Sequence, residues 1–204
     1  MPKLSRSEIS VLVFNLAYIA LGLIASLQRD NAEFLMYVVV LSVLIGVVTA
    51  IHFQIRLPLA ALWGLSVWGL AHMAGGLLHV PKSLPTAGDS NVLYNLWLIP
   101  DLLKFDQLVH AYGFGLVTWI CWLGIRASFL NRGVQVKPTL GLLTLSVAGG
   151  MGFGAANEMV EFFATLTVPE TNVGGYENTG WDLVANFVGS LVAAASIFVW
   201  KSKK

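Results

Sequence analysis

Six apolar stretches punctuate this chain, at residues 9–27, 34–51, 57–80, 105–125, 139–167 and 181–200. A membrane-crossing helix needs roughly 17–25 mostly apolar residues. The pattern therefore predicts an all-α polytopic membrane helix bundle of about six transmembrane helices, forming one integral membrane domain over residues 1–204. Lys3 and Arg6 precede the first stretch as they would a signal peptide. Its apolar run is long for a signal core, however, and Leu27-Gln28-Arg29-Asp30 is a poor small-residue cleavage site, so a retained helix is expected. The longest connection covers residues 81–104. Its piece 92–100 is too short to span, and Tyr94 and Trp97 suit either an interfacial segment or a loop packed on the rim. Residues 169–180 are rich in Gly and Asn and read as an ordinary connection.

Composition agrees with the pattern. Of 204 residues, 56% are hydrophobic and only 11% charged, against about a quarter charged in a soluble domain. A mean hydropathy of +0.74 belongs to the same picture. The net charge of +1 and the absence of basic runs argue against nucleic-acid binding and leave membrane lipids as the expected partners. Cys121 is the single cysteine, so no intrachain disulfide can form.

Basic residues favour the cytoplasmic side of a membrane. Nine of them (Lys3, Arg6, Arg56, Arg126, Arg132, Lys137, Lys201, Lys203 and Lys204) fall in the termini and the even-numbered loops. Only Arg29, Lys82 and Lys104 fall in the others, which also carry Asp30, Glu33, Asp89, Asp101, Glu170 and Glu177. Six spans with both termini cytoplasmic fit this distribution.

Ionisable groups inside apolar stretches cost a few kcal/mol or more unless partnered, and here they recur at helical spacing. His72 and His79 are seven apart around Gly75-Gly76 on the third stretch. Asp106 and His110 open the fourth, Glu158 and Glu161 lie on the fifth, and Asp182 and Asn186 open the sixth. With alternating helix direction, all eight are expected in the outer half of the membrane. At about 1.5 Å per residue, His72 lies roughly 10 Å deeper than His79. Asp106 and Asp182 also suit helix N-termini as caps.

Histidines with carboxylates are ligands for zinc, manganese or iron, and helical bundles build such sites from facing helices. No zinc signature of the H-E-x-x-H kind is present. One reading is a metal-dependent hydrolase or transferase acting on a lipid or envelope substrate. His72, His79, Asp106, His110, Glu158 and Glu161 would hold the metal, Glu161 or Asp182 would act as general base, and Asn186 would orient the substrate. The same groups could instead serve a proton- or cation-coupled transporter. A transporter needs a polar trail to the inner face, where only scattered residues such as Asn15 and Thr118 occur. The third reading is a non-catalytic membrane protein with a structural polar core.

The combination His72-x-x-Gly75-Gly76, Phe105-Asp106-x-x-x-His110-x-x-Gly113-Phe114, Asn157-Glu158-x-x-Glu161-Phe162 and Asn178-Thr179-x-x-Asp182-Leu183-x-x-Asn186-x-x-Gly189 resembles the YjdF-like bacterial inner membrane proteins. That family has no known function. Asp106/His110, Glu158 and Asp182/Asn186/Gly189 are also similar to a pattern of VanZ-like proteins, a group associated with glycopeptide resistance and the cell envelope. Glu161 and the His72/His79 pair go beyond the VanZ-like pattern. The resemblance implies a multi-pass protein of the bacterial cytoplasmic membrane and supplies no reaction.

Overall fold

The structure is a computed structural model that describes residues 4–28, 31–88, 90–169 and 171–201. Lys3, Arg29, Asp30, Asp89, Glu170, Lys203 and Lys204, weighed above for charge, lie outside the described residues, as does the side chain of Lys201. The described residues form α1 (Arg6–Gln28), α2 (Ala32–Ile55), α3 (Leu59–Leu77), α4 (Phe105–Leu130), α5 (Leu140–Thr167) and α6 (Tyr176–Lys201). Between α3 and α4 runs a short antiparallel ribbon, β1 (Trp97–Ile99) with β2 (Leu103–Lys104). Five of the helices are long and apolar enough to cross a membrane, and α3, at 19 residues, is not among them.

Helix ends follow local chemistry. Ser5 and Glu8 form a capping box, with the Ser5 N–H donating to Glu8 Oε2 at 2.6 Å and the Glu8 N–H to Ser5 Oγ at 3.3 Å. Asn31 caps α2 by accepting from the Phe34 N–H at 3.0 Å. Arg56 closes α2 in the left-handed region (φ 53°), its N–H returning to the His52 carbonyl. The expectation that His72 and His79 share a helix face is corrected here. α3 stops at Leu77 because Leu78 turns extended and Pro81 disfavours helix just before it. His79 instead lies in an isolated β-bridge with Val92. α6, by contrast, starts at Tyr176, five residues before the expected boundary. Asp182 thus sits well inside a helix and is not its cap.

The chain divides into two compact units, residues 1–109 with 161–174 and residues 110–160 with 175–204. In the first unit, α1 packs on α2 and α3. Its core gathers Tyr18, Phe34, Val38, Met73 and Leu77. Glycines make room for these large side chains: Gly22 receives Met73, Gly69 receives Tyr18, and Gly76 receives Phe34, each at a distance no Cβ would tolerate. A polar thread joins α1 to α3, where Asn15 donates to Ser66 Oγ at 2.6 Å and accepts from the Tyr18 hydroxyl at 2.7 Å.

In the second unit the glycines also let backbone meet backbone. Gly189 of α6 faces the backbone carbonyl of Ala111 on α4, and a Cβ on Gly115 would stand 2.8 Å from the Gly189 carbonyl. Gly150 of α5 abuts Thr118 and Ser190, both fully buried, and a Cβ on Gly149 would lie 2.9 Å from Cys121 Sγ. Small residues at helix crossings let backbones meet where lipid offers no hydrophobic drive for association. Trp122, Leu143 and Ala194 fill the apolar core below. Gly189→Ala should therefore cost about 2 kcal/mol, since backbone rather than a flexible side chain blocks the new methyl. Gly46→Ala, whose Cβ would meet nothing within 4 Å, should leave stability unchanged or slightly raised. Thermal denaturation of both variants in mild detergent tests this.

Candidate functional site

In the second unit, three helices bring four of the expected residues together. His110 on α4 is 1% exposed, Glu158 on α5 is 8%, and Asp182 and Asn186 on α6 are 0%. His110 Nδ1 lies 3.0 Å from Asn186 Oδ1 and 3.7 Å from Glu158 Oε1. Ligand atoms of His110 and Asp182 also come within 4.8 Å of each other. Asp182 Oδ2 in turn accepts from the Asn178 side chain one turn earlier.

The placement follows from the small-residue contacts. The α4–α6 crossing at Ala111 and Gly189 sets His110 beside Asn186. Gly154 of α5 then leaves space for the Asn186 amide, which a Cβ there would approach to 2.7 Å. A carbonyl oxygen only accepts, so the contact to Asn186 Oδ1 is a hydrogen bond in the tautomer that carries its proton on Nδ1, with Nε2 the acceptor nitrogen.

In the first unit, His72 on α3 meets a residue of the α3–α4 connection. The Tyr94 hydroxyl donates to the His72 carbonyl at 2.9 Å and lies 2.6 Å from His72 Nδ1. The phenol has one proton and gives it to the carbonyl, so the imidazole Nδ1–H donates to the phenol oxygen. Gly75 permits this approach, since a Cβ would strike the Tyr94 ring. Burial pushes the Tyr94 phenol well above its ordinary pKa, and the fields of Asp106, Glu161, Tyr37 and Glu33 push the same way. Glu33, 4% exposed, accepts from the backbone and side-chain N–H groups of Asn172 at 3.0 and 3.5 Å.

The expected residues therefore fall into two sets. His110, Glu158, Asp182 and Asn186 lie in the second unit, while His72, Asp106 and Glu161 belong to the first, where His72 contacts Tyr94. Asp106 lies one turn before His110 on α4, and Glu161 one turn after Glu158 on α5. His79 is exposed on the connection, in a β-bridge with Val92.

Two residues escaped the sequence reading. Glu33 looked like a loop acid, but its pairing with Tyr37 at i,i+4 on α2 was a usable signal. Tyr94 was read as an interfacial aromatic, and no local signal ties it to a histidine 22 positions away.

Residues 9–203 match the profile of a family described as Predicted membrane protein (DUF2238). The chain belongs to that family, and it is a multi-pass membrane protein with several apolar spans. No curated protein and no solved structure matches it.

Tyr94→Phe removes both hydrogen bonds and should lower stability at neutral pH by about 1 kcal/mol. The raised phenol pKa stabilises the fold fully below about pH 10, and that contribution declines as pH rises further. Denaturation followed between about pH 8 and pH 11 should therefore show a shallower alkaline decline in the variant.

Proposed function

We propose that this protein is a metal-dependent membrane hydrolase or transferase whose ion is held by His110, Glu158 and Asp182. One observation carries the reading: buried His110 has a buried carboxylate from each of two other membrane helices close by, Glu158 at 3.7 Å and Asp182 within 4.8 Å, and its Nδ1 also meets Asn186 Oδ1. Metal-ligating histidines characteristically donate their other ring N–H to an oxygen acceptor, which fixes the tautomer. Asn186 does this for His110. The donor set of one imidazole and two carboxylates suits zinc, manganese or iron. Such an ion, when bound, polarises an ester or phosphoester oxygen and lowers the pKa of water. Asn178 steadies Asp182, and the apolar walls of α4–α6 exclude bulk water. A lipid or lipid-linked envelope molecule is the substrate class, because it reaches an intramembrane site from the side. The likeness of Asp106/His110, Glu158 and Asp182/Asn186/Gly189 to VanZ-like envelope proteins supports that choice.

A second reading has its own support in the 3.7 Å approach of His110 to Glu158. An imidazolium–carboxylate pair at that separation is a unit of a proton relay.

Elemental analysis of protein purified in mild detergent without chelator separates the two. The metal reading expects roughly one equivalent of zinc, manganese or iron, absent from a His110→Ala/Glu158→Ala double variant that keeps its circular dichroism. No metal in either sample after re-addition overturns it and leaves the relay. A separate outcome is expected for Asn186→Leu, which keeps every ligand but frees the His110 tautomer. Its metal affinity should fall about 10–100-fold in a competition titration.

A further inference from the structure

The α3–α4 connection ends in a feature independent of the polar residues above. β1 and β2 pair with Trp97 opposite Lys104 and Ile99 opposite Leu103. The turn between them closes through the Leu102 N–H and the Ile99 carbonyl at 3.1 Å. Pro100 and the positive-φ residue Asp101 (φ 55°) occupy its central positions, the pattern of a type II turn.

The base of this ribbon is fastened to protein. The Trp97 N–H donates to the Pro85 carbonyl at 3.0 Å, and the Phe105 N–H to the Leu96 carbonyl at 2.9 Å. Lys104 is 7% exposed, and its backbone N–H is capped by Gln107 Oε1 at 2.9 Å. The tip is the opposite. Leu98, Ile99 and Leu102 are 41%, 48% and 68% exposed, so three large aliphatic side chains project from a ribbon whose base is anchored.

We propose that this tip is an interfacial anchor, with Leu98, Ile99 and Leu102 seated in the boundary between headgroups and acyl chains of the bilayer. Chain length confines it there. Leu102 precedes the first residue of α4, a membrane-crossing helix, by three positions. Three residues span at most about 10 Å, while the headgroup zone on each side of a bilayer is roughly 5–8 Å deep. The tip therefore lies at the level of that zone. The exposed apolar surface also continues onto the first turn of α4 at Leu108, 46% exposed. Asp101 at the apex costs little among headgroups, where water is available. The lipid surface around α4 is thus the occupant that geometry supplies, with no further protein required.

The test uses single nitroxide labels at Leu98→Cys and Leu102→Cys, each in a Cys121→Ala background, with Ser83→Cys as an exposed site on the polar part of the same connection. The protein is reconstituted in vesicles of phosphatidylcholine and phosphatidylglycerol, and collision rates are read with oxygen and with a water-soluble nickel chelate. Both tip labels should favour oxygen several-fold over their Ser83 counterpart. Two tip positions guard against one substitution disturbing the turn. Nickel accessibility at the tip equal to that at Ser83 overturns the proposal. So does shielding from both reagents with an immobilised line shape, which would mean that a protein face covers the tip.

Discussion

Charge taken into an apolar helix bundle must be answered by charge or by hydrogen bonds, and this requirement organises the second unit. Glu158 and Asp182 are buried on helices with little polar surface, and desolvating each carboxylate costs several kcal/mol. A protonated His110 would offset one of them, and a divalent ion of the proposed kind would offset both. The amide of Asn178 and the Asn186–His110 contact spread the remaining demand over neutral dipoles. An arrangement this costly is rarely maintained by packing alone, because apolar side chains of equal volume would fill the same space at less expense.

The same requirement explains where the glycines stand. Side chains as short as aspartate and asparagine reach a common point only if their helices come close, and lipid does not drive helices together as water would. Gly189 against Ala111, Gly154 against Asn186, and Gly150 against Thr118 and Ser190 supply that closeness. Thr118 Oγ1 returns its own proton to the Phe114 carbonyl at 2.8 Å, so its hydroxyl adds no unmet polarity. In the first unit the pattern changes. There glycines admit Tyr18, Phe34, Met73 and Tyr94, which are large side chains rather than backbone.

Much of this was legible in the sequence, because it rests on periodicity. Apolar runs of span length located the helices, and i,i+4 spacing placed Asp106 with His110 and Asp182 with Asn186 on shared faces. Helix limits were less legible. Pro81 ended α3 before His79, and α6 began at Tyr176, inside what composition alone marked as loop. Partners distant in the chain were not legible at all. Tyr94 reaches His72 through Gly75, and Glu33 reaches Asn172 across 139 positions. Neither link leaves a local pattern, since each depends on how segments fold back on one another.

The seat of Met73 at Gly22 has a consequence of a different kind. A methionine fills an irregular gap well because its thioether is flexible and apolar. Here the Met73 methyl occupies the place of a side chain that Gly22 lacks, in a core also made of Tyr18, Phe34 and Leu77. Oxidation to the sulfoxide would put a polar, chiral group into that seat. The joint between α1 and α3 is therefore a point at which oxidative damage converts directly into loosened packing, and a methionine sulfoxide reductase could restore it.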